Sequence, residues 1–431
     1  MIDIRKIEEN QLEIEKALGK RIPGIKLDEI VKTSMERRRL ITSVSKLQEE
    51  RNRVSKEIPN KKKNGENVDG LILRMREVGD EIAIRNSEVR EIEEKLNDML
   101  SALPNVPDDD VLAGGKENNE VLLTWGEQPK FDFQPKDHCT LAEELNMIDF
   151  KRGVKLAGQG SWIYKGVGAE LEWALLNFFV DSHLKDSWEF TLVPHMLTYE
   201  CGYTAGQFPK FQNEVYWLDG TYRKDGRFLL PTAETALVNL HRDEVLSEDE
   251  LPKKYFGYTP CYRREAGSSR VEERGTVRGH QFNKVELIQY TKDDDSERAF
   301  EEMLAKAQKL IQDLGLHYQL SKLAAGDCSA SMCRTYDIEV WIPSMGIYKE
   351  VSSVSNSRDY QARRGNMRYK EKGTGVIKYM HTLNASGLAT SRLLPAILEQ
   401  NQMQDGSILI PEVLRKYMGG KEKINANGDS Q

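Results

Sequence analysis

Residues 261–287 begin Cys261-Tyr262-Arg263-Arg264-Glu265-Ala266-Gly267-Ser268, continue through Arg270, Arg274 and Arg278, and end in the run Gln281 to Leu287. The segment reads as a strand running into a polar, glycine-containing loop and a second strand leaving it. Five arginines fall within sixteen residues of a chain that is acidic overall. Guanidinium forks hold phosphate and carboxylate in fixed geometry, which suits phosphoryl or acyl-phosphate chemistry. A solvated, salt-bridged hairpin explains the arginine count equally well, so the count alone does not decide.

Short β-rich runs at 122–125, 190–193, 215–218, 257–262, 285–289, 338–341 and 348–351 surround this segment. Helical stretches separate them without strict strand–helix alternation, which predicts an α+β fold with an antiparallel sheet flanked by helices. The amino-terminal region has a different rhythm. Leu40, Val44, Leu47, Val54 and Ile58 follow a 4,3 alternation broken by Arg51; Met75, Val78, Ile82, Val89, Ile92, Leu96 and Met99 resume it, with Arg85 in the gap. Two long helices joined by a polar turn at 60–70 make an antiparallel coiled-coil hairpin, about 50 Å long at ~1.5 Å per residue. Residues 27–63 carry 11 Lys and Arg against 6 Asp and Glu, whereas 64–103 carry 5 against 10. Interhelical ion pairing explains this division, and so does a basic helix gripping a phosphate backbone; both can hold at once. Proline and acid at 103–110 read as a linker. The predicted organisation is therefore 1–104 with an arm at about 27–103, a linker at 105–120, a catalytic domain at 121–418 and a polar tail at 419–431.

The length of 431 residues, 39 % hydrophobic and 30 % charged, excludes a small module and a wholly disordered chain. A net charge of -7 excludes a histone-like binder and confines nucleic-acid contacts to local basic patches. Five cysteines without paired C-x-x-C motifs predict free thiols, Cys328 and Cys333 among them, and a reducing cytoplasmic setting. No apolar run approaches the roughly 20 residues of a membrane span, so no membrane partner is expected. The phosphate-loop and dinucleotide glycine motifs are absent, as are H-E-x-x-H and G-x-S-x-G; a bound nucleotide must be held by side chains.

The stretch from Arg263 through Glu265, Ala266, Gly267 and Ser268 to His280, Gln281, Phe282, Lys284, Val285 and Glu286 resembles motif 2 of class II seryl-tRNA synthetases. Further matches follow in the family's order: Thr232, Ala233, Glu234; Glu350, Val351, Ser352, Ser353, Ser355, Asn356; Gln361, Ala362, Arg363, Arg364; and Leu383, Asn384, Ser386, Gly387, Leu388, Ala389, Arg392. The hairpin is similar to this family's tRNA-binding arm. Resemblance thus spans nearly the whole chain and implies a bacterial-type, cytoplasmic ligase that joins L-serine to serine tRNA with ATP and Mg2+.

The same resemblance implies residue roles. Arg263 would bridge the serine carboxylate and the α-phosphate, acting with Arg392 as the catalytic pair; Glu265 would fix adenine, and Phe282 and Arg392 would sandwich its ring. Glu350 and Ser353 would hold Mg2+. Thr232 and Glu234 would surround the serine ammonium, Glu286 would accept from its hydroxyl, and Asn384 and Ser386 would close the pocket. In the arm, Arg37, Arg38, Lys61, Lys62 and Lys63 are the candidates for tRNA. The stretch 166–194 resembles motif 1, and its apolar content points to a homodimer. Three departures stand out: Thr390 and Ser391 replace the usual Val-Gly before Arg392, 328–334 is atypical, and Ser357 and Arg358 follow a familiar stretch. They leave open a paralogue that binds RNA without catalysis or loads serine onto another acceptor.

Overall fold

The computed structural model describes residues 1–220, 222–265 and 275–425, and the chain forms two compact units. The first, Ile2–Pro104, is helical. Its two long helices are α1, Asp28–Lys63, and α2, Asp69–Ala102. Val44 and Val54 on α1 and Val78, Ile82 and Leu96 on α2 are buried, so the 4,3 alternation marks the seam between the helices. Helix α1 continues through Pro59 to Lys63, which shortens the expected turn and puts Lys61, Lys62 and Lys63 in the last helical turn. Arg37 meets Glu93 at 2.7 Å, Lys95 meets Glu29 at 3.2 Å and Arg74 meets Glu50 at 3.8 Å, all across the seam. Arg38 is paired with Glu8 at 2.5 Å.

The second unit, Asn105–Gln431 together with Met1, is built on an eight-stranded sheet. In chain order its strands are β1 (Glu120–Trp125), β2 (Glu189–Phe190), β3 (Lys253–Tyr262), β4 (Gln281–Thr291), β5 (Tyr318–Lys322), β6 (Arg334–Ile342), β7 (Ile347–Arg358) and β8 (His381–Ala389). Their spatial order is β1-β5-β6-β7-β8-β4-β3-β2. Every neighbouring pair is antiparallel except β2 on β3, so the expected antiparallel sheet is mixed at one edge. The run at 215–218 is not a strand; Trp217 makes only an isolated bridge to Phe228.

Three helices, α3 (Val167–Lys185), α4 (Ser296–Asp313) and α5 (Thr390–Gln400), pack into the core that also takes Val285, Leu287, Ile338, Val340, Val354, Leu383 and Ala385 from the strands. Leu171, Leu175, Leu176, Phe178 and Phe179 of α3 are buried in the chain's own core, while Trp173 is 56 % exposed. The apolar content of 166–180 is thus largely used within one chain. Because side chains alternate along a strand, β4 and β8 send their remaining residues to the opposite face. That face receives Phe282, Lys284 and Glu286 from β4 and Asn384 and Ser386 from β8.

Candidate active site

On that face a cleft of about 540 Å³ is lined by Thr232, Glu234, Arg263, Glu265, Glu286, Glu350, Ser353, Asn384 and Ser386, among others. A smaller adjoining recess takes Phe282 and Arg392 and shares Arg263, Glu265, Glu350 and Ser386. All eleven catalytic, nucleotide, serine and metal candidates therefore converge on one connected site. Ala266, Gly267, Ser268, Arg270 and Arg274 lie outside the described residues.

At one end of the cleft two carboxylates lie together, Glu286 fully buried and Glu234 half-buried. Glu286 receives Lys284 Nζ at 2.6 Å, and the Asn384 amide donates to Glu286 Oε1 at 3.2 Å and to Glu234 Oε2 at 3.3 Å. Gln361 Nε2 donates to Glu234 Oε1 at 2.9 Å and is itself oriented by Thr382, whose hydroxyl donates to Gln361 Oε1 at 2.7 Å. Burial, and then the neighbouring Glu286 charge, raise the Glu234 carboxyl to about 7. Among the described residues Asn384 Oδ1 has no donor, so this end of the cleft presents an unfilled acceptor. A ligand that donates a hydrogen bond would satisfy it.

The other end is cationic. Arg392 Nη1 donates to the Glu350 carbonyl at 3.0 Å and to Glu350 Oε2 at 3.1 Å, and Nε donates to the Val277 carbonyl at 3.3 Å. The Arg263 guanidinium lies over the Phe282 ring, 5.1 Å from its centroid. Glu265 has a left-handed backbone, φ 48°, and its carboxylate takes Arg278 Nε at 2.6 Å. Burial opposes ionisation of Glu350, but Arg392 and Arg263 outweigh it and hold this carboxyl below its usual range. Asp337 behaves oppositely: burial, helped by Glu350 and Glu339, holds its carboxyl well above the usual range. Glu350 is thus the anionic oxygen donor of this end, and the Ser353 hydroxyl faces the same cleft. This pair of hard oxygen ligands fits a divalent cation that draws its remaining ligands from phosphate. Among the described residues no three His, Cys, Asp or Glu side chains gather as a metal cage.

Several participants were not singled out from sequence. Gln361 and Lys284 stood in quoted motifs without a role, and Arg278 was visible only as one of the five clustered arginines. Ser329, Met332 and Asp337 carried no separate signal; the first two bring the atypical stretch 328–334 to the cleft wall. The departures before Arg392 are buried. Thr390 donates to Glu172 Oε1 at 2.6 Å, an atom that also takes Asn283 Nδ2 at 2.7 Å, and the Ser391 carbonyl accepts the Thr276 hydroxyl at 2.7 Å. Thr390 therefore ties the segment carrying Arg392 to α3.

Known proteins can be set beside this geometry. Residues 1–107 match the seryl-tRNA synthetase N-terminal domain, and residues 216–401 match the tRNA synthetase class II core domain (G, H, P, S and T). Serine–tRNA ligase 2 of Clostridium acetobutylicum is 58 % identical over 98 % of this chain and 100 % of its own. The seryl-tRNA synthetase of Pyrococcus horikoshii, solved with ATP, superposes with a TM-score of 0.92 at 32 % identity, covering 99 % of each chain. The cytoplasmic serine–tRNA ligase of Naegleria fowleri, solved with AMP, gives 0.88 at 26 % identity over 99 % of each.

The raised Glu234 carboxyl carries a stability signature. A carboxyl whose folded value lies near 7, above its unfolded value of 4.5, binds its proton more tightly when folded, so its contribution falls as pH rises from about 4.5 to 7 and is lost above that window. Glu234→Gln should therefore be about 1–3 kcal/mol more stable than the parent at pH 8 and nearly equal to it at pH 5, judged by urea unfolding. Equal differences at both pH values would contradict the assignment.

Proposed function

This chain belongs to the seryl-tRNA synthetase family, and from that premise we propose that its cleft activates serine at the carboxylate end and ATP at the arginine end before passing the acyl group to tRNA. The ligase chemistry needs no protein nucleophile. The serine carboxylate attacks the α-phosphate of ATP, pyrophosphate leaves, and a 3′-terminal hydroxyl of serine tRNA then displaces AMP from the seryl-adenylate. Catalysis comes from holding the reacting groups in line and neutralising charge as it shifts to the leaving phosphates.

In this reading the serine ammonium sits against Glu234 and Thr232 and its hydroxyl donates to Glu286, with Asn384 and Ser386 closing the pocket. Arg263 spans the gap between the serine carboxylate and the α-phosphate, a role supported by its place in the wall of both recesses. Adenine lies on Phe282, near Glu265. The ring now faces Arg263, so Arg392 must exchange its bond with Glu350 to reach the nucleotide. Glu350 and Ser353 would hold Mg2+, which supplies charge neutralisation at the phosphates. The single observation that carries the function is the cleft itself: a carboxylate-lined end joins an arginine-lined recess. The paralogue alternative gains no support from the relatives, which are serine–tRNA ligases over nearly the whole chain.

The hairpin is assigned to tRNA. Support comes from its excess of basic residues on α1 and from Lys62 and Lys63, which are exposed in the last turn. Arg37 and Arg38 already serve ion pairs within their own unit, so they would contribute to tRNA only by sharing those partners. A homodimer and a cytoplasmic setting complete the proposal. Trp173, exposed on α3, supports the former and five free cysteines the latter.

Serine-dependent exchange of pyrophosphate into ATP tests the amino-acid assignment. Alanine cannot make the hydroxyl bond that serine would add to those Glu286 already takes from Lys284 and Asn384, and exchange should fall by about 10⁴ to 10⁵ relative to serine, the range for sites built around a substrate hydroxyl. Glu286→Ala should remove that preference; alanine within tenfold of serine in the parent would refute the assignment. Replacing residues 27–103 by a short turn should preserve exchange and abolish charging of serine tRNA, whereas equal loss of both would reject the hairpin's role. Light scattering should give twice 49.3 kDa, and an active species at that monomer mass would exclude the dimer.

A further inference from the structure

One aromatic ring of the cleft has no task in the activation of serine. Phe211 is 39 % exposed and is the sole aromatic among the described residues lining the cleft of about 540 Å³, as Phe282 is in the adjoining recess. Phe282 is taken by adenine in the reading above, and serine carries no flat apolar surface, so neither reactant of the first step covers Phe211. A phenyl ring left in water at the wall of a polar cleft is unfavourable until something flat covers it. Lys210 Nζ stands 5.3 Å from the ring centroid and places a cation over one face, which leaves the other for a ligand.

The ring is carried on a fixed segment, 207–214. The Phe211 N–H donates to the Gln207 carbonyl at 2.8 Å, and the Glu214 N–H donates to the Phe211 carbonyl at 3.0 Å, closing two successive turns. Trp217 Nε1 holds the same segment by donating to the Gln212 carbonyl at 2.7 Å. Both ends of the segment are anchored beside residues already assigned. Gln207 Oε1 accepts the hydroxyl of Thr235, next to Glu234, at 3.0 Å, and the Glu214 carbonyl accepts the N–H of Arg264, next to Arg263, at 3.0 Å. Phe211 therefore keeps a set position relative to the groups assigned to the serine ammonium and the α-phosphate, and the acyl carbon of seryl-adenylate lies between those two.

We propose that Phe211 is a binding residue for the second step: it stacks the base of the 3′-terminal nucleotide of the tRNA and so presents the terminal ribose to the seryl-adenylate. The inference rests on the function proposed above. In that step a ribose hydroxyl oxygen bonds to the seryl carbonyl carbon as the bond from that carbon to the phosphate oxygen breaks. AMP leaves with the electron pair, and the hydroxyl proton passes to solvent. The third reactant is the one that brings a second base to the cleft, and an aromatic face receives any base through its π-surface. Because the segment is anchored before the tRNA arrives, little ordering is left to do when the base binds.

The test separates the two steps in the full-length protein. Phe211→Ala should leave pyrophosphate exchange and the KM for ATP and for serine unchanged, which also shows that the variant is folded. Transfer of serine from preformed seryl-adenylate to subsaturating serine tRNA, followed in a single turnover, should fall about 10- to 100-fold, the loss of one base–aromatic stack, and Phe211→Trp should restore it. Phe211→Leu, which keeps apolar bulk without the flat face, should behave as Phe211→Ala. The parent should bind intact serine tRNA more tightly than the same tRNA lacking its terminal nucleotide, and Phe211→Ala should bind the two alike. The proposal is overturned if transfer survives Phe211→Ala, if exchange falls along with transfer, or if the variant still distinguishes intact from shortened tRNA. Failure of the serine assignment is read separately, as a parent protein without serine-dependent exchange.

Discussion

Two carboxylates, the half-buried Glu234 and the fully buried Glu286, share the amide of one asparagine, and the cost of placing negative charge there organises the catalytic unit. Charged groups out of water must be paired or must give up their charge. Glu286 keeps Lys284 against it, whereas Glu234 is held by amides and has its carboxyl raised to about 7. Nearby, the partly exposed Glu350 carboxylate is balanced by Arg392 and Arg263. On the proposed reading the site is a set of charges matched in advance, apart from an ammonium and a hydroxyl at one end and phosphate at the other. A ligand that supplies both completes the pairing, and binding and positioning become one event.

The sheet makes this arrangement possible by separating two tasks across its faces. Val285, Leu287, Leu383 and Ala385 build the core with α3, α4 and α5; their alternating neighbours Lys284, Glu286, Asn384 and Ser386 build the cleft. Gly387 shows how tightly the two faces are coupled. A Cβ there would stand 2.7 Å from the His183 ring and 2.8 Å from Leu287, so β8 lies at the distance from the core that only glycine permits. Thr390 adds a second tie, joining Glu172 of α3 to the chain just before Arg392.

Much of this was readable before any coordinates, for physical reasons that differ by element. The 4,3 alternation from Leu40 to Met99 reports a two-helix seam because only that geometry buries one stripe, and Val44, Val54, Val78 and Ile82 lie there. Strands β3, β4, β6 and β7 were each marked by a short β-rich run. The run 215–218 misled because aromatic and β-branched residues also suit a packed turn: Trp217 is buried against Phe208 and Phe228. Individual site residues emerged from ordered motifs rather than from single positions. What could not be read was pairing across the chain. Nothing in the sequence says that Arg263 rather than Arg392 faces Phe282, that Arg37 is spent on Glu93, or that Glu399 reaches His138.

The most direct test of the matched-charge account is calorimetric titration of the protein with serine at several pH values, each in buffers of different ionisation enthalpy. If the ammonium replaces the proton on Glu234, binding should release about half a proton per site near pH 7 and close to one near pH 6, fading above pH 8. Binding that exchanges no protons between pH 6 and 8 would contradict the account, since Glu234 would then be ionised before the ligand arrives.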